Sequence, residues 1–399
     1  MIVIELFLAI VLGVCLGIFT GLTPGIHINL VSVIIVSISS LLLNYVSAIF
    51  LATLIVSMGI THTFLDAIPS IFLGAPDTDT VMAVLPGHKL LLEGLGWDAV
   101  RLTVIGSLLC LMPCVVFIPF FILAFPFLFE HLKSYIGYLL VVLLGFIILK
   151  DKSKLWAIFV FIFSGFLGLI VLNSDINQPL FSMLSGMFGI SALLLSLFNK
   201  DSVPVQMNDE CVQLGKLEYV KSLAGGVFAG SFITLFPGIG PAQAAALSNS
   251  IFKVEEYSYL VLVGGLNTVN FIISLVTLFA INKARNGAIV SMMEILPNMS
   301  LARLGVFSAA ALIAGGIATI LTLKIAKAFS FMIEHVNYKI LSVCIICFIT
   351  GLSFYFSGFF GLLVLLVSTA IGIVPQVTGC CRSNAMGCLL LPVILFYFL

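Results

Sequence analysis

Two Pro-Gly motifs interrupt long apolar runs of this sequence, and their backbone is suited to binding an anion. The first lies within residues 17–27 and the second within residues 230–241. A helix that breaks inside a bilayer must replace its lost hydrogen bonds, and the helix that restarts presents free N–H groups with a partial positive charge. A carboxylate or a phosphate is the natural ligand of such groups. The backbone residues predicted to bind it are Thr23, Pro24, Gly25, Pro237, Gly238 and Gly240.

Polar side chains near the two motifs supply further donors for an anion. The segment 282–286 carries Lys283 and Arg285 between two asparagines, and a guanidinium is suited to bidentate binding of a carboxylate. The plainer interpretation is that the amides only join helices and that this segment is a surface turn. The side chains predicted to bind substrate are Asn29, Gln243, Asn267, Arg285 and Asn286.

Three acidic residues are candidates for binding a coupling cation. Asp77 and Asp79 lie in a polar loop, where they are predicted to bind Na⁺ or to pair with Arg285. Asp66 lies inside an apolar run, one helical turn after His62, and an acid inside the membrane is a functional candidate because burying it is costly. This pair is a candidate for proton coupling. The plainer alternatives are a structural His–Asp pair and a loop with ordinary turn chemistry.

The composition places the chain in a membrane. Of its 399 residues 61% are hydrophobic and only 9% are charged, whereas soluble domains have about 25% charged residues. Several apolar runs exceed the length of a bilayer-spanning helix, which predicts an all-α polytopic protein of the cell membrane. The net charge of zero excludes a basic nucleic-acid face. We expect no cofactor, no metal site and no enzyme activity, with Na⁺ or H⁺ as the coupling ion.

The two halves of the chain resemble each other. Gly17, Pro24 and Gly25 align with Gly230, Pro237 and Gly238 at one constant offset. This predicts a first transmembrane repeat at 1–198, a cytoplasmic linker at 199–221 and a second repeat at 222–399. Each repeat is predicted to hold a Pro-Gly-broken re-entrant helical hairpin plus about five spans. An odd number of crossings inverts the second repeat, and all but four of the 17 Lys and Arg residues then face the cytoplasm.

These motifs resemble the large membrane subunit of the tripartite tricarboxylate transporters, the TctA family, in its shorter archaeal branch. The resemblance rests on the two Pro-Gly motifs and on the segments 76–80, 85–94 and 283–288. It implies ion-driven uptake of a small carboxylate together with a small membrane subunit and an extracytoplasmic binding protein. The sequence departs from the family pattern at His27, where the family has a Gly-Pro continuation, and at Asp77 and Asp79, where it has neutral residues.

The function predicted is that of an ion-coupled secondary transporter, or permease, for a small organic anion such as a di- or tricarboxylate. The anion is expected to bind between the two broken-helix motifs, where matched breaks in two repeats form the substrate site of a transporter. The alternatives are a flippase for a polyprenyl-phosphate lipid carrier and a membrane-embedded enzyme acting on a lipid. A structural scaffold has little use for paired broken helices. A homo-oligomer and transport without accessory subunits remain open.

Overall fold

The computed structural model describes residues 2–24, 26, 28–74, 81–176, 179–199, 204–207, 212–235, 240–334 and 338–398. All regular secondary structure within these ranges is helical, as the apolar runs predict. Short turns of other helix types lie at Val81–Ala83, Lys133–Tyr135 and Arg382–Met386, which are 3-10 turns, and at Ser185–Ile190, which is a π turn.

The helices fall on either side of the linker. The first half contains α1 (Ile2–Leu22), α2 (Ile28–Ser37), α3 (Ser39–Leu42), α4 (Ala48–Leu65), α5 (Ala67–Phe72), α6 (Val84–Leu92), α7 (Gly96–Val116), α8 (Ile118–Leu132), α9 (Ile136–Lys150), α10 (Lys154–Leu172), α11 (Pro179–Leu184) and α12 (Ser191–Asn199). The second half contains α13 (Lys216–Ile233), α14 (Pro241–Phe252), α15 (Ser258–Ile281), α16 (Gly287–Ile295), α17 (Leu301–Glu334), α18 (Tyr338–Thr378) and α19 (Gly387–Phe398).

Seven helices of the described chain are long and apolar enough to cross a membrane, and three shorter apolar helices accompany them. The apolar run at 102–128 forms two helices, α7 and α8, joined at Phe117. The apolar runs at 338–353 and 357–373 form the two arms of α18, which is broken at Gly358 with φ 61°. Helix α13 begins at Lys216, inside the predicted linker. Protein cores tolerate such breaks because neighbouring helices satisfy the freed backbone groups.

Helices α4 and α15 form the centre of the molecule, and nearly all of their side chains are buried. They cross antiparallel, because Thr63 contacts Thr268 whereas Gly59, earlier in α4, lies against Phe271, later in α15. Both helices are buried on all sides and mostly apolar, which is typical of helices surrounded by protein. Antiparallel crossing of equivalent helices is what inverted repeats require. The inverted membrane topology itself stays a prediction that this geometry supports.

Each central helix is packed by the broken helix of its own half in the same register. Gly17 of α1 lies against Thr61 of α4, and Gly230 of α13 lies against Val269 of α15. Gly230 follows Gly17 by 213 residues, and Val269 follows Thr61 by 208 residues. The internal repeat therefore corresponds to a repeated packing unit.

In each half, the start of the helix that precedes the break lies next to the start of the central helix, so the broken segment returns to the place where it began. In the first half the backbone N–H of Ser47 donates to Glu5 Oε1 at 2.9 Å. In the second half the backbone N–H of Glu255 donates to Glu218 Oε2 at 3.2 Å. Glu218 is the residue that the offset of 213 pairs with Glu5. These contacts support the predicted hairpins, although their re-entrant placement in a membrane stays a prediction.

The next long helix of each half packs on the central helix of the other half. Helix α7 packs on α15, and α17 packs on α4. The α7–α15 contact is close enough that Gly106 lies against the carbonyl of Val261 and Gly264 against that of Thr103. Helices α9 to α12, α18 and α19 form a peripheral layer beside this core. The linker lies along the start of α7, where Gln206 accepts from Gly96 N at 3.0 Å and donates to Leu91 O at 3.1 Å.

Candidate functional site

A buried carboxylate lies at the junction between α4 and α5. Asp66 ends α4 and is 2% exposed, and Asn267 of α15 donates to its Oδ2 at 2.6 Å. The two residues belong to different halves of the chain, so the contact exists only because α4 and α15 cross at this level. Asn267 was predicted to bind substrate, and in the structure its amide holds the carboxylate instead of facing an open space. Whether it also touches a substrate remains a prediction.

Polar side chains of three helices surround this carboxylate. His62 Nδ1 lies 3.1 Å from Thr20 Oγ1, at the last turn of α1 before the first break. Thr63 Oγ1 lies 3.1 Å from Thr268 Oγ1 across the helix crossing. We call Thr20, His62, Asp66, Asn267 and these two threonines the carboxylate cluster. It combines a titratable pair with hydroxyl and amide oxygens, which suits either a proton or a Na⁺ ion.

A guanidinium lies close to the second break. Helix α15 ends at Asn282, whose left-handed conformation (φ 51°) turns the chain, because asparagine tolerates this region. The turn directs Arg285 towards the end of α13, where its Nη2 donates to the carbonyl of Leu235 at 2.9 Å. The ring of Phe129 lies 4.4 Å from Lys283 Nζ and 5.6 Å from the guanidinium carbon of Arg285.

Two buried donors at this guanidinium have no partner in the described part of the chain. They are Nε of Arg285 and the hydroxyl of Tyr397, and the two side chains interact electrostatically. Burial lowers the pKa of Arg285, while Tyr397 acts in the opposite direction. An arginine nevertheless remains charged in proteins. None of the carboxylates described by the structure forms an ion pair with it. We call Arg285, Lys283, Phe129 and Tyr397 the guanidinium cluster.

The start of α16 brings the first break next to Arg285. Asn286 caps α16, its Oδ1 accepting from Ala288 N at 2.9 Å. The side chain of Asn29 in α2 packs directly on Gly287, so that an added Cβ at Gly287 would lie 2.7 Å from Asn29 Cγ. The N-terminal ends of α2 and α16, one from each half, therefore meet beside the guanidinium, and helix N-termini stabilise negative charge. The predicted anion site lies between α2 and α14, the helices that follow the two breaks, and the part of it formed by α14 stays a prediction.

The structure describes only some of the remaining residues predicted for the site. Thr23 accepts from Ile26 N at 3.2 Å around Pro24, and Gly240 accepts from Ala244 N at 3.2 Å at the start of α14. Gly25, Asp77, Asp79, Pro237 and Gly238 lie outside the described residues, as does the side chain of Gln243. The structure thus unites Asn29, Arg285 and Asn286 in one region and Asp66 with Asn267 in another.

Sequence reasoning missed Tyr397, Phe129 and Thr20. Each lies in an apolar run without a motif of its own, and Tyr397 is far from Arg285 along the chain. No sequence signal marked them, since their role depends on which helices pack together. Within the described ranges no group of His, Cys, Asp and Glu side chains is arranged to hold a metal ion.

Comparison with known proteins places the chain among transporters. The sequence profile described as the "Tripartite tricarboxylate transporter TctA family" matches residues 7–387. An uncharacterized protein of Methanocaldococcus jannaschii, MJ1079, is 29% identical over 355 residues, covering 86% of this chain and 87% of that protein. No solved structure matches the chain.

Proposed function

This chain belongs to the tripartite tricarboxylate transporter TctA family, and we propose that it carries a small organic anion, such as a di- or tricarboxylate, across the cell membrane. The family is one of transporters, and the seven membrane-length helices make the chain a multi-pass membrane protein. Membership in a transporter family agrees with the prediction that the chain is not an enzyme.

The observation that carries the anion proposal is the pair of buried donors at the guanidinium cluster. Nε of Arg285 and the hydroxyl of Tyr397 have no hydrogen-bond partner in the described structure. A buried unsatisfied donor costs about 1–3 kcal/mol, and more when it is charged. A carboxylate that accepts from both donors removes this cost, and the Arg285 fork has the geometry for it.

The coupling cation is assigned to the carboxylate cluster. Asp66 supplies the negative charge, and His62, Thr20, Asn267 and Thr63 supply polar atoms around it. The cluster adjoins the last turn of α1, because Gly21 packs on Leu65 and Asp66. Occupation of this cluster by H⁺ or Na⁺ would therefore act on the first broken segment, and through Asn29 on the start of α16.

The tripartite nature of the family supports partner subunits. A small membrane subunit and an extracytoplasmic binding protein are the proposed partners, the latter delivering the anion to the side on which Arg285 lies. The alternatives are transport by a homo-oligomer and transport without accessory subunits. Transport by the chain purified on its own would support them.

The test is a binding screen on the purified protein. We expect a di- or tricarboxylate to raise the apparent melting temperature, since a ligand that binds only the folded state stabilises it by mass action. Na⁺ or lower pH should strengthen the effect. Arg285→Gln should abolish the shift, and Tyr397→Phe should weaken binding about tenfold, as loss of one hydrogen bond to a charged group does. Arg303→Gln, which removes a positive charge at the start of α17, is the control that should keep binding.

Two outcomes would contradict the proposal. Unchanged affinity in Arg285→Gln would remove the guanidinium cluster from the substrate site. Stabilisation by polyprenyl phosphate alone, with no response to soluble carboxylates, would favour the flippase.

A further inference from the structure

Three hydroxyl side chains form a row along one face of α4. Thr53, Ser57 and Thr61 follow one another at intervals of four residues, which places neighbouring hydroxyls about 6 Å apart along the helix. All three residues are fully buried, and none of the three hydroxyl oxygens has a hydrogen-bond partner in the described part of the chain. We call these three residues the hydroxyl row.

Hydroxyls inside a helix ordinarily satisfy themselves by donating to a carbonyl of the preceding turn. Thr63 of the same helix does so to Ile60 O at 2.8 Å, and Ser274 of α15 does so to Asn270 O at 2.6 Å. Each of the other helices in which the structure describes a buried hydroxyl without a partner has a single one. Burying such a group costs free energy, so a run of three on one helix calls for an explanation.

Packing alone does not require hydroxyl groups at these positions. The residues of α15 that the offset of 208 pairs with the hydroxyl row are all buried and carry no polar side chain: Val261, Gly265 and Val269. Gly17 lies against Thr61 in the first half, and Gly230 lies against Val269 in the second half. The same contact is thus made with and without a hydroxyl. The hydroxyl row belongs to the half that carries Asp66.

Helix α1 covers the hydroxyl row. An added Cβ at Gly13 would lie 2.7 Å from Ser57 Cβ, and one at Gly17 would lie 2.5 Å from Thr61 Cβ. The two helices therefore touch along the hydroxyl row, and this close packing keeps bulk water and larger ions away from it.

One end of the hydroxyl row adjoins the carboxylate cluster. Gly17, which packs on Thr61, accepts at its carbonyl from Thr20 Oγ1 at 3.3 Å. Thr20 Oγ1 also lies 3.1 Å from His62 Nδ1. His62 precedes Asp66 by one helical turn, so the hydroxyls lead to the buried carboxylate.

The other end of the hydroxyl row points towards the start of α4. Ser47 caps this start and donates its backbone N–H to Glu5. Asp66 follows Ser47 by 19 residues, which corresponds to about 28 Å of helix. The predicted topology places the start of α4 on the extracellular side, so the hydroxyl row lies between that side and the buried acid.

Few charged groups lie on the helices packed around α4. Helices α2, α5 and α15 contain none, and α1 contributes Glu5. Asp98 and Arg101 of α7 pair with each other. The described charged side chains of α16 and α17 are exposed or partly exposed: Glu294, Arg303, Lys324 and Lys327. The titratable neighbour of Asp66 is therefore His62.

We propose that the hydroxyl row carries the coupling proton from the extracellular side to Asp66, with single water molecules bridging neighbouring hydroxyls. A hydroxyl can donate one hydrogen bond while it accepts another. Each therefore passes its own proton on as it receives the next, and the Asp66 carboxylate accepts the last one. A bridging water also satisfies the buried hydroxyls. This inference rests on the proposed function, because it delivers H⁺ to the cation site assigned there.

The spacing of the hydroxyl row selects H⁺ over Na⁺. A metal cation needs several oxygen ligands around one point, whereas the hydroxyl row offers one side-chain oxygen per helical turn. A proton needs only a continuous file of groups that donate and accept.

Proton uptake by the purified protein tests the inference without an imposed gradient or a partner subunit. The protein in weakly buffered solution is mixed with succinate or citrate at the same pH in a stopped-flow instrument, with chloride as the control anion. A pH indicator follows the free protons. We expect carboxylate binding to draw a proton from solution, because coupled sites raise each other's affinity. Asp66→Asn should take up none.

Variants of the hydroxyl row change the rate alone. Ser57→Ala and Thr61→Val should take up protons about tenfold more slowly, as expected when a barrier rises by the free energy of one hydrogen bond. The amount of proton taken up and the carboxylate affinity should stay as in wild type. A merely structural defect would change these two quantities and lower the melting temperature, whereas loss of an unsatisfied hydroxyl should not lower it.

Two further variants serve as controls. Thr61→Ser keeps the hydroxyl and should retain the wild-type rate, which separates the role of the hydroxyl from that of the side-chain shape. Ser274→Ala removes a buried hydroxyl that already donates to Asn270 O, and it should also retain the wild-type rate.

The outcomes distinguish this inference from the proposed function. Wild-type rates of proton uptake in both Ser57→Ala and Thr61→Val would overturn the proton path and leave the proposed function standing. Carboxylate binding that requires Na⁺ and takes up no proton would also overturn it, while the anion site would remain. No carboxylate binding to the wild type would contradict the proposed function, and the inference with it.

Discussion

Charge is distributed unequally between equivalent residues of the two repeats. The offset of 208 pairs Asp66 with Ser274, and it pairs Arg285 with Asp77. Ser274 is buried and donates to Asn270 O at 2.6 Å, which is an ordinary intrahelical contact. The acid of the carboxylate cluster and the arginine of the guanidinium cluster thus have no residue of the same charge at the equivalent position of the other half. Side chains of both halves nevertheless contribute to each cluster, through Asn267 in the first and Phe129 in the second.

Asp66→Asn should separate coupling from substrate binding. The amide retains the shape and hydrogen bonding of the side chain but cannot bind a proton or balance a Na⁺ charge. We expect anion binding to persist while uptake against a gradient falls to background and loses its dependence on pH and Na⁺. Proteoliposome uptake with imposed ion gradients is the measurement. Asp175→Asn, an exposed acid in the 173–176 loop, is the control, and concentrative uptake by Asp66→Asn would exclude the role.

At the scale of elements, each predicted hairpin is held to the start of the central helix of its own half. Both are tied at their ends by a glutamate that accepts from a backbone N–H, at Glu5 and at Glu218. A hairpin held at its base can change at its break without losing its anchor. This arrangement explains how the polar groups at each break are supported by a fixed element.

Cross-linking tests both hairpins in the same way. Cysteine pairs at Glu5 and Ser47, and at Glu218 and Glu255, should be joined by a short bifunctional thiol reagent in an otherwise cysteine-free chain. Proteolysis between the paired positions followed by gel analysis measures the yield. A pair at Glu5 and Glu255 serves as the negative control. If only one hairpin is cross-linked, the two segments are not equivalent.

The packing of α7 and α17 on the central helix of the opposite half depends on small residues. A Cβ at Gly106 would lie 1.9 Å from the Val261 carbonyl, and a backbone atom cannot move aside as a side chain does. We expect Gly106→Ala to cost about 1–3 kcal/mol through overpacking, despite the better helix propensity of alanine. Gly316→Ala, at a position with open space, should be neutral or stabilising. Melting temperatures in detergent compare the two, and equal values would contradict the close α7–α15 contact.

At the scale of the whole molecule, the orientation of the chain in the membrane decides which side the guanidinium cluster faces. Helix α10 starts beside the basic turn 150–154 and ends at Leu172, which places residues 173–176 on the other side of the membrane. The predicted inverted topology makes that side extracellular. The same predicted topology puts Arg285 towards the outside.

Thiol labelling of intact cells tests this orientation. Ser174→Cys should react with a membrane-impermeant maleimide added from outside, whereas Lys152→Cys should react only after the membrane is permeabilised. Both changes are made in a background whose other exposed cysteines are replaced. Labelling of Ser174→Cys from the cytoplasm alone would reverse the predicted topology, and with it the side of the membrane that the guanidinium cluster faces.

The sequence by itself determined the helical membrane fold, the two broken segments and the candidate charged residues. Composition is enough for the first, because a chain this apolar must satisfy its backbone within helices. Pro-Gly breaks and charges inside apolar runs are visible as exceptions to that rule. The span boundaries at Phe117 and Gly358 were less predictable, since tertiary packing decides where a long apolar run bends.

Only the tertiary structure decided which of these residues work together. Asn267 reaches Asp66 because α4 and α15 cross antiparallel, and Tyr397 at the end of α19 interacts electrostatically with Arg285, 112 residues earlier in the chain. Arg382 and Ser191 meet across 191 residues of chain. Contacts between distant segments depend on the packing of whole helices, and hydrophobic packing is too non-directional to be read from the local pattern of one helix.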